Sequence, residues 1–183
     1  MAHARKLFHA SGILIALVYG FTPLPRAAAG GILGGIAVLL AALDLARRRY
    51  RAIDELFRAS FAPILDTKDF RGLNGSTLYF GGCAIAVALF PRDPACAGVM
   101  ALALGDPAAA VIGSSVRSPR LGRVSLAGSA ACAAFAAGGC ALFVTPARAL
   151  LGGVVAAAVE ALSGSKLDNA AIPVAVAAAL HLL

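Results

Sequence analysis

Charge is what this sequence has least of. Asp, Glu, Lys and Arg make up 14% of its 183 residues, where a soluble domain carries roughly 25%. With 60% of the residues hydrophobic and a mean hydropathy of +0.86, there is too little polar surface to meet water on all sides, and lipid is needed to cover the rest. Cysteine is sparse too. Cys83, Cys96, Cys132 and Cys140 stand far apart with no CxxC pair, which argues against a disulfide framework or a metal site and reads them as small core residues. No GxxxxGK[ST] run occurs, so a P-loop is excluded. Acids number 9 against 16 Lys and Arg. The net charge of +7 could suggest a polyanion, yet the positives lie between apolar segments instead of forming one face, which speaks for membrane orientation and against nucleic acid.

What is present is a series of seven apolar segments, approximately 7–21, 27–46, 76–90, 95–114, 125–144, 148–162 and 170–183. Thr22-Pro23-Leu24-Pro25, Pro91-Arg92-Asp93-Pro94 and Thr145-Pro146 punctuate them as tight turns. These three turns hold Arg26, Arg92 and Arg148, while the other 13 basic residues collect on the opposite side. The expected fold is therefore all-α: one polytopic membrane helix bundle over 1–183, of about seven transmembrane helices, with the N-terminus and the longer loops cytoplasmic. Arg5-Lys6, the apolar run to Tyr19 and Ala27-Ala28-Ala29 have the layout of a signal peptide. His9 within the run, Arg26 at the supposed cleavage point and a further span behind it favour a permanent first helix. The one long connection, 47–70, carries Tyr50, Ile53, Leu56, Phe57 and Phe61 at helical spacing, with Arg51, Asp54, Glu55 and Arg58 between them. It reads either as an amphipathic helix on the inner membrane surface or as a plain solvated connector.

The centre of the chain is Ala101-Leu102-Ala103-Leu104-Gly105-Asp106-Pro107-Ala108-Ala109-Ala110-Val111-Ile112-Gly113. A carboxylate in hydrocarbon costs several kcal/mol and by default marks a site. Pro107 cannot donate to the helix ladder, so the carbonyl of Ala103 loses its partner beside the Asp106 carboxylate, a pairing that suits a hard cation such as Mg²⁺. The plainer alternative is a kinked helix with Asp106 paired to an Arg or Ser of a neighbour. On the expected topology, His9, Asn74, Ser76, Asp106, Ser125, Ser129, Glu160, Asp168 and Asn169 all fall in the cytoplasmic half, Asp106 about 12 Å below the end of its span. The loop over 114–125 and its flanks bring Gly113, Arg117, Arg120, Gly122, Arg123, Ser125, Gly128 and Ser129. Glycines that let N–H groups approach an anion, serine donors, arginines and a helix start together suit phosphate.

These residues resemble a family. Arg5-Lys6-Leu7-Phe8-His9, Gly105-Asp106-Pro107-Ala108-Ala109 with Gly113, the run from Gly122 to Ser129, and Glu160 followed by Asp168-Asn169 and Pro173 are similar to the CTP-dependent lipid kinases. That group comprises the dolichol, polyprenol, phytol and yeast-type diacylglycerol kinases, and is related to phosphatidate cytidylyltransferase. The resemblance runs from residue 5 to about 173. It departs at Ser114, where the family has Arg after glycine, and at Arg123, Val124 and Ala127, where it has Lys, Lys and Glu. The resemblance implies an integral protein of the bacterial inner membrane that phosphorylates a lipid alcohol at the cytoplasmic face, with CTP as donor, ATP being its alternative on physical grounds. Asp106, with Asp168 and Glu160, would hold Mg²⁺. Gly105, Ala109, Gly113, Arg117, Arg120, Gly122, Arg123, Ser125, Gly128, Ser129, Lys166 and Asn169 would hold the nucleotide, and His9 or Glu160 would accept the hydroxyl proton. The alternatives are a CDP-lipid-forming cytidylyltransferase and a small membrane transporter or scaffold. Internal repeats and a polar path through the outer half, which a transporter should have, are absent.

Overall fold

The computed structural model describes residues 2–61, 73–163 and 166–183, without the side chains of 2–8, 10, 61 and 121. The 62–70 part of the connector, Lys68, Arg71 and the side chains of Arg5, Lys6, Leu7 and Phe8 lie outside the described residues. In chain order the elements are α1 (Ala2–Phe21), α2 (Arg26–Arg49), α3 (Arg51–Phe61), α4 (Gly75–Leu89), α5 (Arg92–Ser115), β1 (Arg120–Leu121), β2 (Val124–Ser125), α6 (Leu126–Cys140), α7 (Pro146–Leu162) and α8 (Asp168–His181).

The architecture is all-helical, as expected, apart from one small hairpin. Each apolar segment forms a helix, and the first half of the connector forms α3. Arg47, Arg48 and Arg49, expected in that connector, instead complete the last turn of α2, where positive charge meets the negative end of the helix dipole. Proline starts the helices where the pattern placed turns: Pro25 and Pro91 precede α2 and α5, and Pro146 opens α7. The segment 125–144 stops being helical at Cys140, because the chain tightens into a turn in which the N–H groups of Leu142 and Phe143 reach the carbonyls of Gly139 and Cys140. Two helices, α2 and α5, are long and apolar enough to cross a membrane. Among the described residues the apolar part of α1 is Ser11–Phe21, α4 and α6 have 15 residues each, and α8 has 14.

α5 is the centre. It packs against α1, α4, α6, α7 and α8, whereas α2 reaches the bundle chiefly through α4. Of the most apolar stretch of α5, 67% is buried, against 17% for α2. Small residues allow this closeness. A Cβ added at Gly98 of α5 would run into the carbonyl of Pro173 in α8, and one at Gly153 of α7 into the carbonyl of Ala133 in α6. At the end of the bundle carrying the 22–25 turn, arginines tie neighbouring segments. Arg92 donates to the carbonyls of Thr22 and Leu24 at 2.5 and 2.6 Å and lies over the Tyr19 ring, and Arg148 donates to the carbonyl of Leu180.

The opposite end is where polarity is enclosed. The buried polar and charged side chains His9, Asp44, Arg47, Asn74, Thr77, Asp168 and Asn169 all sit near that end of their helices. They form two groups. One joins α2, α3 and α4: the Asp44 carboxylate accepts from Arg47 Nε at 3.0 Å, from the Asn74 backbone N–H at 2.7 Å and from Thr77 Oγ1 at 2.7 Å. The other surrounds Asp106.

Candidate functional site

α5 continues as a helix through Pro107, so Asp106 is presented from within that helix. One partner of its carboxylate is a histidine. His9 of α1, 3% exposed, brings Nδ1 to 3.0 Å from Asp106 Oδ2. α4 packs against His9: the Tyr79 hydroxyl donates to the His9 backbone carbonyl at 3.2 Å, and the two rings lie 5.4 Å apart. Gly12, three residues after His9, leaves the space that the Tyr79 hydroxyl fills.

Around this pair, His9, Asp106, Arg123, Glu160, Asp168 and Asn169 line one cavity of about 180 Å³, together with Ala110 and Val124. Residues from α1, α5, α7, α8 and the hairpin thus meet at one place. Arg123 stands at its edge, donating to the Glu160 carbonyl at 3.0 Å and lying 3.9 Å from Asp168 Oδ2. The Glu160 Oε2 is enclosed without a hydrogen-bond partner among the described residues. Asp168 opens α8, its Oδ1 accepting from the Asn169 N–H at 2.9 Å, and Asn169 Nδ2 reaches the Gly75 carbonyl at the start of α4. Among the described residues, three carboxylates face one arginine and one imidazole in this cavity, an excess of negative charge that a cation would relieve.

A second cavity, of about 450 Å³, adjoins the first. It shares Ala110, Arg123, Val124 and Glu160 and adds Ala109, Gly113, Ser114, Arg120, Ser125 and Gly128. The loop expected to bind phosphate is a two-stranded antiparallel hairpin, Arg120 pairing with Ser125 and Leu121 with Val124, turned by Gly122 at φ +63°, where a side chain would be strained. Ser125 caps α6: its Oγ accepts from the Gly128 N–H at 3.1 Å and reaches the Gly113 carbonyl. The crossing of α5 and α6 is tight, since a Cβ at Gly113 would lie 2.9 Å from Ser125 Oγ and one at Gly128 would lie 3.1 Å from the Ala109 carbonyl.

Not every expected residue joins the cavities. Gly105 faces Cys132 and Ala136 and serves helix packing. Arg117 is exposed beyond the end of α5, and Gly122 shapes the turn. The Ser129 hydroxyl is enclosed in α6 without a hydrogen-bond partner among the described residues. Lys166 Nζ donates to the Leu73 carbonyl at 3.2 Å, on the approach to α4. Sequence reasoning passed over Asp44 and Tyr79 and counted Arg47 only as an orienting charge. Asp44 could have been found by the rule that singled out Asp106, an acid inside an apolar run.

The donor set around Asp106 fits Mg²⁺ in kind: carboxylates from three helices, one with an enclosed unpartnered oxygen, beside a basic hairpin suited to phosphate. Among the described residues no three His, Cys, Asp or Glu side chains form a ready cation cage, so phosphate oxygens or water would complete the shell. No protein-family model matches the chain, and no solved structure matches it. The chain is similar to an uncharacterized protein of Rickettsia prowazekii (strain Madrid E), 29% identical over 128 residues, which is 68% of this chain. The match spans 62% of the relative's length, less than two thirds.

Proposed function

We propose that the chain is a multi-pass enzyme of the bacterial inner membrane that transfers a phosphoryl group from a nucleoside triphosphate, CTP by family resemblance, to the hydroxyl of a membrane lipid alcohol such as a polyprenol, a phytol-like prenol or diacylglycerol. The observation that carries this reading is the meeting of His9, Asp106, Arg123, Glu160, Asp168 and Asn169 around one cavity beside the hairpin at the polar end of an apolar bundle. The seven apolar helices would cross or enter the bilayer, the shorter ones within a thin bundle. The polar end would face the cytoplasm, where nucleotide is found.

In this reading the larger cavity takes the triphosphate. Arg120 and Arg123 neutralise its charge, and Gly113 and Gly128 line its wall without side chains. Asp106, Glu160 and Asp168 would hold Mg²⁺, which offsets phosphate charge. His9, oriented by Asp106 as a carboxylate orients a catalytic imidazole, accepts the acceptor's proton. The alcohol oxygen bonds to the γ-phosphorus, the bond from that phosphorus to the β,γ-bridging oxygen breaks, and the nucleoside diphosphate leaves with the electron pair. The lipid enters from the side, between helices kept slim by alanine and glycine.

The test is to incubate membranes carrying the protein with γ-labelled and α-labelled CTP or ATP and a panel of lipid alcohols and phosphorylated lipids. γ-Label in a lipid supports the kinase. α-Label in a lipid with release of pyrophosphate shows a cytidylyltransferase, and label in no lipid sinks both.

A further inference from the structure

A second polar region lies at the junction of α2 and α3. The chain turns between them at Tyr50, which is extended (φ −121°, ψ 112°). α3 is amphipathic, and its apolar arc is divided. Phe57 faces inward, 8% exposed, under the Arg47 guanidinium 4.6 Å from its ring centre. Leu56, on the neighbouring strip, is 69% exposed. Tyr50 and, on α2, Leu45, Leu39 and Val38 are likewise exposed, so an uncovered apolar band runs from α2 round the turn onto α3. Basic side chains border it: Arg48 and Arg49 at the end of α2 are exposed, as are Arg51 and Arg58 on α3, which pair with Glu55 and Asp54 at 2.7 Å.

A second observation fixes this arrangement. Arg47, 3% exposed, bonds Asp44 on its own helix through Nε and Asn74 through a terminal nitrogen at 3.3 Å, and lies 4.0 Å from Asp54 of α3. A buried ion pair is expensive to build, and this one clamps the start of α3 to the ends of α2 and α4. An apolar strip bordered by arginines, at the end of a 24-residue apolar helix, matches the boundary between acyl chains and acidic headgroups.

We propose that α3 and the last turn of α2 form an interfacial anchor seated on the anionic phospholipid headgroups of the cytoplasmic leaflet, with Asp44 and Arg47 as the clamp that sets its position. The inference rests on the reading of the chain as a membrane bundle but not on its catalytic activity.

The chain has no tryptophan, so an introduced indole is a unique fluorophore. Leu56→Trp and, as a conservative second probe of the same band, Tyr50→Trp report on α3; Val38→Trp reports on the middle of α2. Each full-length variant is reconstituted in phosphatidylcholine–phosphatidylglycerol vesicles, with bromine placed shallow or deep in the acyl chains of one lipid or the other. The α2 probe should be quenched by deep bromines and both α3 probes by shallow ones. Quenching of the α3 probes should be about threefold stronger when phosphatidylglycerol carries the bromine, a preference that Arg48→Gln with Arg49→Gln should reduce. Unquenched α3 probes with a quenched α2 probe overturn the anchor and leave the membrane reading intact, and a second copy covering this band would give that result. Equal quenching by both headgroups overturns the anionic partner. If no probe is quenched, the membrane reading falls and takes the anchor with it.

Discussion

The two polar groups at one end of the bundle use the same side-chain types to opposite effect. Around Asp44, donors and acceptors close on one another: three hydrogen bonds converge on one carboxylate, and the Arg47 that supplies one of them also bonds Asn74 and covers Phe57. Around Asp106, three carboxylates share a cavity with one arginine at the rim, and the Glu160 Oε2 is left unpartnered among the described residues. A carboxylate engaged by three donors from two helices fastens those helices together. An acid-rich cluster beside an open cavity retains its attraction for something brought from outside, and this contrast separates a fastening from a site where neither charge nor burial does so alone.

Exchanging the roles would break the comparison. Asp106→Asn should lower phosphoryl transfer at least about 1,000-fold, roughly 4 kcal/mol of transition-state stabilisation, while helix content and thermal melting in detergent stay near those of the wild type. Transfer within tenfold of the wild type would take Asp106 out of the chemistry. Asp44→Ala should leave Arg47 buried without its counter-ion and cost about 3–5 kcal/mol of stability, read as a lower denaturation midpoint. Were it to melt like the wild type, the fastening would be no fastening. Arg123→Gln, at the rim, should raise the KM for nucleotide about tenfold with a smaller change in kcat, the signature of lost ground-state binding. Ser125→Ala sharpens the line between support and site. It removes the cap of α6, about 1 kcal/mol, and melting should record that loss.

Much of the fold was legible because apolar runs, prolines and glycines announce helices and turns locally. The seven segments and the amphipathic piece after Tyr50 follow from those signals. The helix ends were less so. That Arg47 is buried at the end of α2 depends on Asn74, 27 residues away, and no local pattern carries that. In the site, Asp106 was conspicuous as an acid in an apolar run, and the shared level of Glu160 and Asp168 followed from topology. The pairing of His9 with Asp106 was not legible, since it depends on the register of α1 against α5. That register is held by Tyr79 fitting over Gly12, a complementarity of shape between distant residues. Gly105 misled for a related reason: a glycine needed for close helix approach and one needed for a phosphate look alike in a string of letters.

The composition of α5 has a last consequence. Its buried face is made mostly of Ala, Gly and Cys, with Val99, Met100 and Leu102 as its larger members, so few side chains can change rotamer to absorb an incoming molecule. The helix can shift only as a stiff mast, and five neighbouring helices brace it. Any adjustment to a ligand at this site would then fall to the periphery, to α1 carrying His9 and to the hairpin carrying Arg120 and Arg123.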